Sequence, residues 1–534
     1  MACSVAPALD ARVARRVGCG VRLLRLVSLS LVLAVGVAVP APAAATPGLD
    51  LDRSTIPQLQ RLMDRGELSS IGLTGRYLGR IATVDRKVRA VLAVDPTAIA
   101  QAAASDLRRR TGHARGPLEG IPVLLKDNVD TRGLDTTAGS RALRGKPPAA
   151  DATLVRKLRA AGAVILGKAN LSEWANYRST KSTSGWSGAG GQTHNPHVLD
   201  RNPCGSSSGS GAAVAASLAQ VAIGTETDGS IVCPAGANGV VGAKPSLGLV
   251  SRTGVVPISA EQDTAGPMAR NVVDAAITLS ALQGRDPADP PTADYPADQP
   301  TDYPRELRPD ALEGARIGLW RQSGVNADVD RVVEEAAGVL RSRGAEVIDV
   351  ELPYQDQIGA AEGAALLSEF ARDLPAYLRT RPGVPQSIAE LVEFNRRDPV
   401  ELSKFGQELF EQALTAPGTD DPGYREQRRT ATALARDSID ETLAAHDLDA
   451  IVSPTNSPAW KTAYGEGDAF ELGSSTPAAV AGYPNVSVPA GYAGDLPIGV
   501  SLFAGRWADA DVLSLAAAFE NAAPVRRAPS YLPG

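Results

Sequence analysis

Histidine is nearly absent from this chain: 534 residues carry four, at positions 113, 194, 197 and 446. A hydrolase built on a histidine base has few candidates here, and none of the four lies in a setting that names it as one. His194 and His197 have Pro196 between them, so they cannot present two ligands on one helical face, and a metal site there is rejected. Neither metal nor other cofactor is expected. Cysteine is as scarce, with Cys3, Cys19, Cys204 and Cys233. Basic clusters are missing too. The net charge is −6, and the first 45 residues hold Arg12, Arg15, Arg16, Arg22 and Arg25 against Asp10, so the remainder is more acidic than the whole. An acidic body without a Lys/Arg cluster offers no electrostatic footprint for nucleic acid or an anionic membrane. No stretch after residue 39 is long and apolar enough for a transmembrane helix, and no internal repeat is present.

What is present begins with an export signal. The arginines at 12 to 25 precede an apolar run, Leu26 to Val39, followed by the small residues Ala41-Pro42-Ala43-Ala44-Ala45. This is the charged, apolar, cleavage-site order of a secretory peptide. The apolar core of about fourteen residues falls short of the roughly 20 that span a bilayer, which favours cleavage over anchoring. Residues 1–45 are therefore read as a signal peptide and 46–534 as one domain, with no stable membrane insertion after cleavage. Arg15-Arg16 leaves the choice between Sec and twin-arginine routes open. Cleavage removes two cysteines. Cys204 and Cys233 allow a disulfide in an oxidising compartment, although two small buried thiols are slightly preferred, because sequence supplies no distance.

From Leu49 onward, helices and strands alternate. Thr55 to Gly66 and Ile71 to Asp85 carry apolar residues at helical spacing. Gly120 to Leu125 is a short apolar run that reads as a buried strand. Asp151 to Ala161 reads as a helix with Asp151 as N-cap and Leu154 and Leu158 on one face, ended by Gly162 and followed by the strand Ala163–Leu166. Helix, glycine and strand recur at Val332 to Arg343, Gly344, and Glu346 to Leu352. Helices dominate Gln357 to Ala445, and strand signals return at Ala450–Ser453 and Asn485–Val488. The Pro/Asp-rich stretch 285–309 reads as a long surface loop or a linker between lobes. The expected fold is α/β, a mixed central sheet between helix layers.

The chemically informative stretch is Asn202-Pro-Cys-Gly-Ser-Ser-Ser-Gly-Ser-Gly211 and its Ala-rich continuation, then Val221-Ala-Ile-Gly-Thr-Glu-Thr-Asp-Gly-Ser-Ile231. A Gly/Ser loop feeds a helix, then a strand, then a second Gly/Ser turn. Backbone N–H groups in such a turn can converge on a developing oxyanion. Composition alone favours the plainer reading, two flexible loops. A phosphate loop is disfavoured by the missing Gly-Lys-Ser/Thr ending, and no Gly-x-Ser-x-Gly elbow surrounds Ser230. A Ser–His–Asp enzyme stays a fair rival; if histidine is not the base, a lysine is the natural substitute, provided burial lowers its pKa. Lys126 closes an apolar strand in Leu124-Leu-Lys-Asp-Asn128, though a strand-end lysine is ordinarily just solvated.

Three blocks in order, Gly120-Ile-Pro-Val-Leu-Leu-Lys-Asp-Asn128, Gly205-Ser-Ser-Ser-Gly209 and Gly224-Thr-Glu-Thr-Asp-Gly-Ser-Ile231, resemble the amidase signature family. Similarity extends through Gly167–Ala175, Asp263–Arg270, Ala450–Thr455, Ala481–Ala490 and Leu496–Gly499, covering roughly residues 50 to 530. The resemblance implies Ser230 as nucleophile, Ser206 as bridging serine in a cis peptide after Gly205, and Lys126 as base. It implies the N–H groups of Thr227, Asp228, Gly229 and Ser230 as oxyanion hole. The family's usual Asp-Thr-Gly-Gly-Ser-Ile-Arg is here Glu226-Thr-Asp-Gly-Ser-Ile-Val232, and Ser208 stands where glycine is usual. Asp228, Val232 and Cys233 resemble peptide amidases, so the expected substrate is the C-terminal amide of peptides. The alternatives are a broad small-molecule amidase or esterase and an inactive secreted binding protein on the same scaffold. A tRNA-linked amidotransferase component shares the fold, but the export signal and acidic body argue against it.

Overall fold

The computed structural model describes residues 49–534, so the segment read as an export signal lies outside the described residues. The first helix, Ile56–Asp64, shows how local sequence sets the elements. Thr55 and Gln58 form a reciprocal capping box, Pro57 sits in the first turn, and Ile56, Leu59 and Met63 are buried. The helix Thr153–Ala160 buries Leu154 and Leu158 as their spacing predicts, but it starts later than expected. Ala152 is its N-cap, without a side-chain bond. Asp151 is spent elsewhere, accepting from the Arg132 N–H at 2.7 Å and pairing with Arg159 at 3.0 Å. A good capping residue is drawn away by the Arg132 backbone and by an arginine two turns along its own helix.

Strands β1 (Val91–Val94), β2 (Pro122–Lys126), β3 (Val164–Ala169), β4 (Trp186–Ser187), β5 (Gly191–Gln192) and β6 (Val221–Glu226) occupy the first half. Then follow β7 (Val241–Lys244), β8 (Thr264–Ala269), β9 (Arg316–Leu319), β10 (Glu346–Asp349), β11 (Ala450–Pro454), β12 (Asn485–Ala493) and β13 (Leu496–Phe503). Eleven of them form one mixed sheet in the order β1-β3-β2-β6-β8-β7-β12-β13-β11-β9-β10, flanked by helices, while β4 and β5 pair as a separate ribbon. β2 runs parallel to both β3 and β6. Its near-continuous apolar sequence suits a strand covered on both faces, and all five of its residues are buried. Parallel pairing puts the carboxyl ends of β2 and β6 side by side, so Lys126 and the turn after Glu226 emerge together.

The stretch 285–309 is fastened to the body rather than hanging as a free linker. It contains the short helix Tyr303–Glu306, whose Tyr303 is fully buried and donates its N–H to Ser280 Oγ at 3.0 Å. The region expected to be helical holds Gln355–Leu378, Ile388–Arg397, Glu408–Ala413 and Pro422–His446. Among the described residues, no helix is long and apolar enough to cross a membrane.

Candidate active site

Lys126 is fully buried at the end of β2. Its Nζ lies 2.8 Å from Ser206 Oγ, 2.9 Å from Thr225 Oγ1 and 3.0 Å from the Thr225 carbonyl, the last two on β6. No carboxylate among the described residues pairs with it. Burial pulls its pKa down to about 7, against the opposing fields of Asp263 and Glu226. In the uncharged state an amine has two donors and one lone pair. The Thr225 carbonyl takes one donor, so a hydroxyl must point its proton at the lone pair, and Ser206 is placed to do so.

Ser206 precedes the helix Ser208–Ala215, and the Gly205–Ser206 peptide is cis. The neighbouring Ser207 ties the two loops together. Its N–H donates to the Ser230 carbonyl at 3.1 Å, its hydroxyl donates to the Thr225 carbonyl at 3.0 Å, and Thr225 N–H donates back to it at 3.1 Å. Ser230 is 8% exposed, and its hydroxyl makes no hydrogen bond to any described residue. The expected relay is therefore half closed: Lys126 and Ser206 are joined, while Ser206 and Ser230 are not. Such bonds often tighten only when substrate is present.

The turn Thr227–Ser230 rests on its flanks and keeps its own N–H groups unused. Gly229 adopts φ 74°, where a glycine is favoured. Beyond it, the N–H groups of Ile231 and Val232 bond the buried Glu226 carboxylate at 2.7 and 3.1 Å. Thr227 Oγ1 donates to Asp263 at 2.5 Å. The N–H groups of residues 227 to 230 donate to no described residue, which leaves four donors at one turn. The Asp228 carboxylate is held by Ser475 Oγ at 2.5 Å and Thr476 Oγ1 at 2.7 Å, and burial raises its pKa against those two bonds. Where an arginine is missing at Val232, the buried Lys244 supplies the positive field that faces Glu226 and Asp228.

Beside this turn lies a cavity of about 220 Å³ lined by Asn176, Cys204, Gly205, Asp228, Gly229, Cys233, Trp460, Asp468 and Phe470, among others. The two cysteines are joined in a disulfide, with Cα atoms 6.0 Å apart. The preference for free thiols is thereby corrected: packing of the Ser206 loop against the turn after β6 brings together positions 29 apart in sequence. The rings of His194 and His197 bond the backbone carbonyls of Leu199 and Asn238 at 2.9 and 3.1 Å.

The family model described as Amidase matches residues 72–513. The chain belongs to the amidase signature family. A structure of the peptide amidase PAM with the competitive inhibitor chymostatin is 50% identical, covers 90% of this chain and 99% of that one, and superposes with a TM-score of 0.88. The native peptide amidase from Stenotrophomonas maltophilia is 48% identical over the same shares, with a TM-score of 0.85. A glutamyl-tRNA(Gln) amidotransferase component from Roseiflexus castenholzii is 39% identical, covering 88% of this chain and 95% of its own length. Family and structural likeness together make the chain an amide-hydrolysing enzyme, an amidase close in structure to peptide amidases.

Several residues of this amidase escaped sequence reasoning. Asn176, Trp460, Asp468 and Phe470 line the cavity from segments with no motif of their own. Ser475 and Thr476 belong with them, since only the fold brings them to Asp228. Thr225 joins them: only the pairing of β6 beside β2 brings its hydroxyl to Lys126.

Proposed function

We propose that this amidase is a secreted serine amidohydrolase that removes the C-terminal amide of peptides through a Lys126–Ser206–Ser230 relay. One observation carries the reading. A buried amine without a counter-ion, drawn to about 7, sits 2.8 Å from the hydroxyl of Ser206. Neutral Lys126 accepts the Ser206 proton while Ser206 accepts that of Ser230, and Ser230 Oγ attacks the amide carbon. The N–H groups of Thr227, Asp228, Gly229 and Ser230 receive the oxyanion. As the carbon–nitrogen bond breaks, the relay returns the proton to the leaving ammonia. Water then attacks the acyl-enzyme ester, giving the peptide carboxylate and regenerating Ser230.

The substrate class is supported by the likeness to peptide amidases and by the cavity. No lysine, arginine or histidine among the described residues lines it, while Asp228 and Asp468 do, so a peptide ending in a carboxylate finds no counter-ion and one ending in a neutral carboxamide meets no penalty. Secretion rests on the amino-terminal sequence, and a disulfide suits an oxidising compartment. The runner-up is a broader amidase or esterase. Comparing kcat/KM on a peptide amide and a simple aryl amide separates the two.

The test is covalent labelling of Ser230 by a fluorophosphonate probe, located by peptide mapping. Ser230→Ala should abolish labelling and cut kcat/KM on a peptide amide by ~10³-fold or more. Lys126→Ala should lose labelling too. Near-normal turnover in Ser230→Ala sinks the assignment.

A further inference from the structure

The disulfide sits where the proposed chemistry is most sensitive to position. Cys204 lies two residues before Ser206 and Cys233 three after Ser230, and both line the cavity beside the turn. Each is anchored to its own half of the site. The Cys204 N–H donates to Asn202 Oδ1 at 2.8 Å, and its carbonyl accepts from Ser208 Oγ at 2.6 Å. Its φ of 56° is a left-handed conformation that a non-glycine residue holds only when its surroundings impose it. The Cys233 N–H donates to the Gly229 carbonyl at 2.8 Å, inside the turn whose free N–H groups are the proposed oxyanion donors. The crosslink therefore runs from the bridging-serine loop to the oxyanion turn.

Few other bonds join these two segments. Asn238 Nδ2 donates to the Pro203 carbonyl at 2.8 Å and Ser207 reaches the Ser230 carbonyl and Thr225, but no hydrogen bond among the described residues links the Ser206 and Ser230 hydroxyls. Their separation is set by the backbone on either side, so a small relaxation there moves one hydroxyl against the other. Misplacement of reacting groups by about 1 Å can cost ~10²-fold in rate.

We propose that Cys204–Cys233 is a positioning crosslink for this site, and that opening it slows turnover in a protein that stays folded. The proposal rests on the Lys126–Ser206–Ser230 reading. Each cysteine is 5% exposed, and both border the cavity, which gives a small dithiol a route to the sulfurs. One dithiothreitol thiolate attacks a cystine sulfur to give a mixed disulfide. Its second thiol closes on the first, releasing cyclic oxidised dithiothreitol and leaving two protonated cysteines, a balanced two-electron exchange.

The experiment treats the protein freed of residues 1–45, and so of Cys3 and Cys19, with dithiothreitol, desalts it under argon, and counts two free thiols with a chromogenic disulfide reagent. The expected result is a kcat on a peptide amide at least tenfold lower, a KM within threefold, and a Tm still well above the assay temperature. Reoxidation restores kcat. Replacing both cysteines, Cys204→Ser with Cys233→Ser, gives the same slow enzyme, now indifferent to reductant. A reduced protein with two free thiols and a kcat within twofold of the oxidised form overturns the proposal, as does a loss carried by KM alone or by unfolding. Ser230→Ala runs in parallel. If it keeps its turnover, the catalytic reading fails; if it is inactive while reduction does nothing, only the crosslink proposal fails.

Discussion

Two lysines stand one register step apart on neighbouring strands. Lys126 on β2 faces Ala169 of β3, and Lys168 on β3 faces Leu125 of β2, so the two side chains project to opposite faces of the sheet. Both are fully buried, and burial lowers the pKa of both. Their partners differ. Lys168 Nζ meets the Asp127 carboxylate at 3.1 Å, the Val129 carbonyl at 2.7 Å and Thr136 Oγ1 at 3.0 Å. Lys126 meets two hydroxyls and a carbonyl, with no acid in contact among the described residues. The Asp127 field, from a carboxylate in contact, supports a proton on Lys168, whereas Lys126 feels only the fields of Asp263 and Glu226, neither of which touches it. A buried amine becomes a base through the lack of a counter-ion, and burial alone does not single it out.

The largest effect expected from this contrast is on rate. Lys126→Met should lower kcat/KM on a peptide amide by ~10³-fold or more, because the Ser206 proton loses its acceptor. Its stability should move the other way. A lysine whose folded pKa lies below its unfolded value costs stability in full below about 7, and the cost fades as pH rises toward the unfolded value. The Tm gain of Lys126→Met over wild type is thus greatest at acidic pH and shrinks toward pH 10. Lys168→Met should show the converse. It leaves the Asp127 carboxylate buried without its cation, a loss of about 3–5 kcal/mol in denaturant unfolding, while kcat/KM per folded molecule changes less than tenfold. Equal losses of rate and stability in both variants would erase the distinction.

This contrast was only half legible in the sequence. Leu124-Leu-Lys126 and Leu166-Gly-Lys168 are alike as text, each a lysine after apolar residues. What separates them is Asp127, next in sequence to Lys126 yet bonded to Lys168, since alternation along a strand turns it to the other face. Elements with a period or a punctuating glycine were readable, as with the buried Leu154 and Leu158, or β2 itself. The Gly/Ser loops were readable as a site only through their resemblance to the amidase signature family, since composition alone favoured two flexible loops. Contacts made by closing loops were not: the pairing of Cys204 with Cys233, the Arg132 N–H on Asp151, and Ser475 and Thr476 on Asp228 have no local signature.

The finest prediction concerns the pH at which Lys126 becomes competent. With its pKa near 7, kcat/KM should climb as pH rises through about 7 and fall away below it, since protonation removes the base. Asp263 is the stronger of the two acids whose fields raise the Lys126 pKa, and burial holds its own pKa up at about 6, so it is charged across most of that limb. Asp263→Asn removes the charge while its one oxygen still accepts from the Ile258 and Ser259 N–H groups and its amide N–H turns to Thr227 Oγ1. With less negative field, the ammonium is less favoured, and the limb should move to lower pH, by less than about one unit at this range. The measurement is kcat/KM between pH 5 and 9 for both proteins at fixed ionic strength. A shift to higher pH means that Asp263 does not act on Lys126 through its charge. A profile flat from 6 to 8 in the wild type means that the amine at the end of β2 is not the group that titrates, and the contrast with Lys168 then loses its chemical meaning.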